Sequence, residues 1–210
     1  MSDLLNRLGY LQTRRDRTPN LDLARDLVAR DDKAGIQEIA KNMWNENKNI
    51  HGDCMNVMYE IAIINPVIVL PYADDFIKFL ESPYQNMAKG AMFALAEIAK
   101  VKPEFTFKHL NAIKKAKEAG SDIFVDKAVT ALAYTAAAND EYNKSVFPYL
   151  IQDLLTCYHK EVPEHAERAL PAVNEHNKHE FIKSLEKRSD SLSGSDFTRL
   201  NKIIRIAEKI

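Results

Sequence analysis

The sequence predicts an all-α fold of stacked helical hairpins, and three observations carry that prediction. Strand signals are nearly absent: the one β-branched run, Val67 to Leu70, stands between two prolines, where a turn or short helix is as expected as a strand. The 6 glycines and 8 prolines collect between periodic segments rather than inside them. Most directly, AMFALAEIAKVKP (Ala91 to Pro103) has a counterpart 37 residues earlier in CMNVMYEIAIINP (from Cys54). It has another 37 residues later in AVTALAYTAAAND (from Ala128), and a fourth copy follows 38 beyond that in AERALPAVNEHNK (from Ala166). A two-helix unit with this period belongs to the α-solenoids, where each unit buries its apolar face against the next.

Aligning the copies places apolar residues at i, i+3, i+4, i+7 and i+8, one face of a helix. The columns are Cys54, Ala91, Ala128, Ala166; Val57, Ala94, Ala131, Ala169; Met58, Leu95, Leu132, Leu170; Ile61, Ile98, Thr135, Val173; and Ala62, Ala99, Ala136, Asn174. Small residues in the first two columns let neighbouring helices approach, and larger ones in the third and fourth fill the layer between them. Each copy is therefore the buried second helix of a hairpin.

The first helices show weaker echoes. LPYADDFIKFLES (Leu70 to Ser82) resembles FPYLIQDLLTC (Phe147 to Cys157), and FKHLNAIKKAKEAG (Phe107 to Gly120) keeps the apolar phase without the proline. Pro71 and Pro148 are read as helix starts, because a first-turn proline lacks only an N–H that would be unpaired anyway. Links fall at Ser82-Pro83, Gly120-Ser121 and Val162-Pro163 inside hairpins, and at Asn65-Pro66, Lys102-Pro103 and Asn139-Asp140 between them; Ser121 and Asp122 are candidate caps. Pro171 falls inside the fourth second helix and predicts a kink there.

The residues L-P-Y leading into a helix, a turn, and then A-x-x-A-L-x-x-I-A resemble HEAT repeats over Ile36 to Asn174. The resemblance implies one domain over residues 1–210, a right-handed α-α superhelix of about five hairpins. Residues 19–35 then form an N-terminal capping helix, 36–174 the clear repeats, and 178–210 a charged C-terminal capping hairpin. In that hairpin Leu200, Ile203, Ile204 and Ala207 repeat the apolar face and Ser195 is the candidate N-cap. Lys33 to Asn47 pairs with the first clear copy, which puts Trp44 in phase with Ile36, Ala40 and Met43, in the core.

With 29 basic and 30 acidic side chains, no overall field draws the chain to nucleic acid or an anionic membrane. Cys54 and Cys157 show neither disulfide nor metal spacing, which suits a reducing compartment. MSDLLNRLGYLQTRRDR lacks a signal-peptide core and no apolar run reaches membrane-span length, so the expectation is a cytoplasmic protein with no membrane partner.

Second helices are expected to line the concave side, and their noncore positions are the first place for a site. Tyr59 and Ile63; Lys89, Phe93 and Lys100; Thr130 and Tyr134; and Arg168 are the candidate partner-binding residues there. The large apolar ones suit a protein or peptide surface, and equally suit packing between repeats. Basic residues beside Phe93 raise nucleic-acid binding, against which stand Glu60, Glu97, Asp126, Glu164 and Glu175 in or beside the same strip. Some alkylpurine DNA glycosylases share HEAT-like repeats, but Asp126 has no arginine or tryptophan at matching positions, so no catalytic residue carries over. His165, His176 and His179 supply two ligands one turn apart and no third in phase, which predicts no metal site. Serine-nucleophile motifs, phosphate-binding loops and paired CxxC are absent, and no cofactor is expected. The reading is a non-enzymatic interaction or scaffold module with an unidentified protein or peptide partner; a nucleic-acid-binding or DNA-repair relative is the alternative.

Overall fold

The five apolar columns become core. In the computed structural model of the chain, which describes residues 2–14, 16–120 and 122–210 (backbone alone for Asp122 and Ile123), every column residue of the first three copies is 0 or 1% exposed. Thr135, the one polar member, has its hydroxyl within 2.6 Å of the Thr106 hydroxyl and 2.7 Å of the Ala131 carbonyl, so its burial leaves no orphan group. The fourth copy decays: Leu170 and Asn174 are half-buried. All regular structure among the described residues is helical, and the chain divides into two compact units, Met1–Val101 and Lys102–Ile210.

In the first unit α1 (Thr18–Ala29), with Pro19 in its first turn, and α2 (Lys33–Asn42), capped by Asp32, pack on α3 (Lys48–Ile64). The N-terminal segment is tied to this group through polar side chains. Gly9 N–H donates to Asn20 Oδ1 at 3.0 Å, Asn20 Nδ2 to Asp53 Oδ1 at 2.8 Å, and Tyr10 N–H to Asp53 Oδ2 at 2.7 Å. Val67 to Leu70 proves helical: α4 (Pro66–Val69) is capped by Asn65, and a 3-10 turn (Leu70–Tyr72) containing Pro71 leads into α5 (Ala73–Phe79). Both α4 and α5 pack on α6 (Gln85–Val101), which lies against α3.

Trp44 departs from the expectation. The helix ends at Asn42, not Asn47, because a run of asparagines offers the backbone other partners. Asn42 Nδ2 donates to the Glu38 carbonyl, Asn45 Nδ2 to Asn42 Oδ1, and Asn45 and Asn47 accept from the N–H groups of Asn47 and Asn49. Trp44 therefore lies past the helix end and is 53% exposed, lying on Phe79 with ring centroids 4.2 Å apart and with the Lys78 ammonium 5.8 Å from its ring.

In the second unit α7 (Pro103–Lys108) and α8 (Leu110–Ala119), interrupted at His109, pack on α9 (Asp122–Ala137). α10 (Asp140–Thr156) and α11 (Val162–Ala169) complete its packing, and α12 (Lys178–Ser189) with α13 (Gly194–Ala207) forms the last hairpin. The proposed cap at Ser121 lies outside the described residues, as does the Asp122 side chain. Three further expectations are corrected. Pro148 sits inside α10, whose start is set eight residues earlier, where Asn139 accepts from Tyr142 N–H at 2.9 Å and Asp140 and Glu141 occupy the first turn. Pro171 ends a helix instead of kinking it: α11 stops at Ala169 and a 3-10 turn (Leu170–Ala172) follows. Ser195 lies within the first turn of α13, which begins at Gly194 with φ of 59°, a left-handed conformation glycine adopts without penalty.

Candidate functional site

Two glycines inside helices, Gly52 in α3 and Gly90 in α6, set the geometry of the site. A Cβ on Gly90 would overlap the Met55 side chain and come within 3.3 Å of the Tyr59 ring, and one on Gly52 would lie 2.7 Å from Asn86 Nδ2. Their absent side chains let α3 and α6 approach closely. Between the two helices and the residue preceding α1 opens a cleft of about 160 Å³, lined by Arg17, Asn56, Tyr59, Asn86, Lys89, Gly90 and Phe93.

Tyr59 and Phe93 form its floor, with ring centroids 5.4 Å apart at 50°. Tyr59 is 5% exposed, and burial pushes its phenol pKa up, with Arg17 acting in the opposite direction and Glu60 adding to the rise. Asn56 and Asn86 supply amides, which both donate and accept, as a peptide group does. Arg17 and Lys89 supply two cations that have no ion-pair partner among the described residues. The arrangement presents an aromatic surface, two amides and two positive charges to one occupant.

Of the residues singled out from sequence, Tyr59, Lys89 and Phe93 meet in this cleft. Ile63, 46% exposed, stands one turn beyond Tyr59 on α3, and Lys100 lies further along α6, ion-paired to Glu97; neither lines the cleft. Thr130, Tyr134 and Arg168 belong to the second unit. Thr130 is buried, donating to the Asp126 carbonyl at 3.0 Å and accepting from Arg168 Nη1 at 3.3 Å, and Tyr134 is half-buried. Arg168 is committed to Glu164, with Asp126 at 3.6 Å, and Glu164 also accepts from Arg199, which pairs with Glu167.

This ionic cluster continues inward. His165, 1% exposed, has Nδ1 2.8 Å from Asp153 and Nε2 3.5 Å from Asp126, and Asp153 also accepts from Lys117 Nζ. Burial opposes the imidazolium, but bonds to Asp126, Asp153 and Cys157 outweigh it and raise the pKa to about 11. A protonated histidine held between carboxylates is neither a metal ligand nor a general base. His176 and His179 are exposed, and no group of three His, Cys, Asp or Glu side chains among the described residues is placed to hold a metal ion. No helix among them is long and apolar enough to cross a membrane.

Arg17, Asn86 and Gly90 escaped the sequence reading. Arg17 precedes the repeats, so no column comparison reaches it. Asn86 lies one turn before Lys89 on the same helix face and was legible by extending the strip. Gly90 carried a signal of its own, since a glycine in the middle of a helix costs about 1 kcal/mol relative to alanine and asks for a packing reason.

No known protein family and no curated protein matches the sequence. Solved structures do match. A designed armadillo repeat protein in complex with the peptide (KR)4 superimposes with a TM-score of 0.66 at 17% identity, over 98% of this chain and 99% of the other. An engineered protein gives 0.64 at 21% identity, over 100% and 98%. A computationally designed armadillo repeat protein for modular peptide recognition gives 0.61 at 17% identity, over 97% and 98%. At these identities the likeness speaks for the fold alone: the chain is an all-helical repeat protein with the architecture of the armadillo-like solenoids.

Proposed function

We propose that the chain is a non-enzymatic, HEAT-like scaffold that binds a peptide segment of another protein on its second helices, at the cleft between α3 and α6. The carrying observation is the convergence of Phe93, Asn56, Asn86, Arg17 and Lys89 on one cleft. Amides suit the backbone of an extended segment, the ring floor suits an apolar anchor, and the two free cations favour an acidic sequence. That structurally similar designed proteins were made for peptide recognition supports the reading. Nucleic-acid binding has less support, because Lys100 and Arg168 are already paired to Glu97 and Glu164.

The test is selection of a displayed peptide library on the purified full chain, then titration of a selected peptide. Acidic peptides with an aromatic or aliphatic anchor are expected, and Phe93→Ala and Lys89→Glu should each weaken binding about tenfold or more. Selected peptides that bind both variants as tightly as the parent would overturn the proposal. So would an oligonucleotide that binds with a steep salt dependence and displaces the peptide.

A further inference from the structure

In the second unit one ionic cluster pairs Lys117 with Asp153, Arg168 with Glu164, and Arg199 with Glu164 and Glu167. A second cleft, of about 500 Å³ and within the size range of small-molecule sites, shares no residue with that cluster. At its rim Asp140, Lys144, His176 and Glu180 make no side-chain ion pair or hydrogen bond to any described residue.

The cleft wall is preorganised. Asn143 and Asn177, both 9% exposed, are locked together by Asn177 Nδ2 donating to Asn143 Oδ1 at 3.0 Å. Both amides also donate to the Ala172 carbonyl, at 2.8 and 3.0 Å. These bonds hold α10, the 3-10 turn after α11 and the start of α12 in one arrangement. Phe147 and the exposed Pro148 add apolar surface to the lining.

We infer that this cleft binds a basic amino acid, arginine in preference to lysine. Asp140 and Glu180 offer carboxylate acceptors to a cation with several N–H groups, which a guanidinium satisfies in forked geometry better than an ammonium. Phe147 and Pro148 suit the aliphatic stem, and Lys144 faces the ligand's carboxylate. Asp140 and Glu180 against Lys144 leave one carboxylate in excess among these three side chains, which complements the single positive charge of arginine.

Calorimetric titration of the full chain with L-arginine tests this, using citrulline (uncharged, similar in shape), agmatine (no carboxylate) and the peptide Gly-Gly-Arg as companions. Saturable 1:1 binding of arginine is expected, with citrulline weaker by about tenfold or more. Glu180→Gln and Asp140→Asn should each weaken arginine by a similar factor, while Lys144→Met should weaken arginine and leave agmatine unchanged. Gly-Gly-Arg binding as well as arginine identifies a peptide C-terminus as the source of the same chemistry. No saturable arginine binding, citrulline equal to arginine, or two carboxylate variants that bind arginine like the parent overturns the inference. Far-UV circular dichroism establishes that each variant is folded, and the peptide titration at the α3–α6 cleft is independent of every arm.

Discussion

Asp153 is where the second unit is most exposed to a single change. Its side chain is 6% accessible and accepts from Lys117 Nζ and from His165, whose side chains are 11% and 1% accessible. Asp153→Asn keeps the volume and one acceptor but removes the charge, leaving two buried cations short of an anion. Breaking a buried pair this way costs about 3–5 kcal/mol. Two features place this case near the lower bound: Asp126 stays 3.5 Å from His165 Nε2, and the long Lys117 stem can swing its ammonium into water. About 3 kcal/mol corresponds to roughly a 150-fold rise in the opening equilibrium. Hydrogen exchange read by mass spectrometry on peptides from α10 and α11 measures it directly, with peptides from α3 as the internal standard. Protection in α10 and α11 that falls by less than about threefold would refute the claim that this carboxylate neutralises the cluster.

The other expectations are simpler to state. The His165 pKa of about 11 lies above its ordinary 6.5, so its stabilising contribution is complete below pH 6.5 and is lost as pH rises toward 11. The unfolding free energy of the second unit, measured in urea, should therefore fall as pH rises through that window, and His165→Gln should lack that component of the fall. Trp44→Ala should cost about 1 kcal/mol, the worth of a half-exposed ring contact, in contrast with the 3–5 kcal/mol or so of a buried tryptophan; thermal unfolding decides. Gly90→Ala should destabilise the first unit by about 1–3 kcal/mol through overpacking against Met55, despite alanine's higher helix propensity, as the Trp44 fluorescence in urea would report.

The repeat was legible because burial against a neighbour at fixed spacing leaves a periodic trace: the columns read from three copies are the residues sealed from water. Helix ends were harder to read, since they depend on local competition. The asparagine run beyond Asn42 drew the backbone out of the helix and left Trp44 at the surface, although its phase with Ile36 and Met43 pointed inward. Pro148 resembles a helix start in sequence, but the start lies at the Asn139 cap, whose side chain accepts from Tyr142 N–H.

The candidate site divides in the same way. Tyr59, Lys89 and Phe93 stood out because they break the repeat. Their meeting with Arg17, from outside the repeats, and with Asn86, across from Gly52, required the crossing of α3 and α6. Periodicity encodes which face of a helix is buried, a property of one segment and its spacing. Which charges are neutralised and which amides converge depends on residues far apart in the chain, whose distances exist only once the helices have packed. Arg168 and Lys89 look alike as sequence; one is spent on Glu164, and the other faces an open cleft.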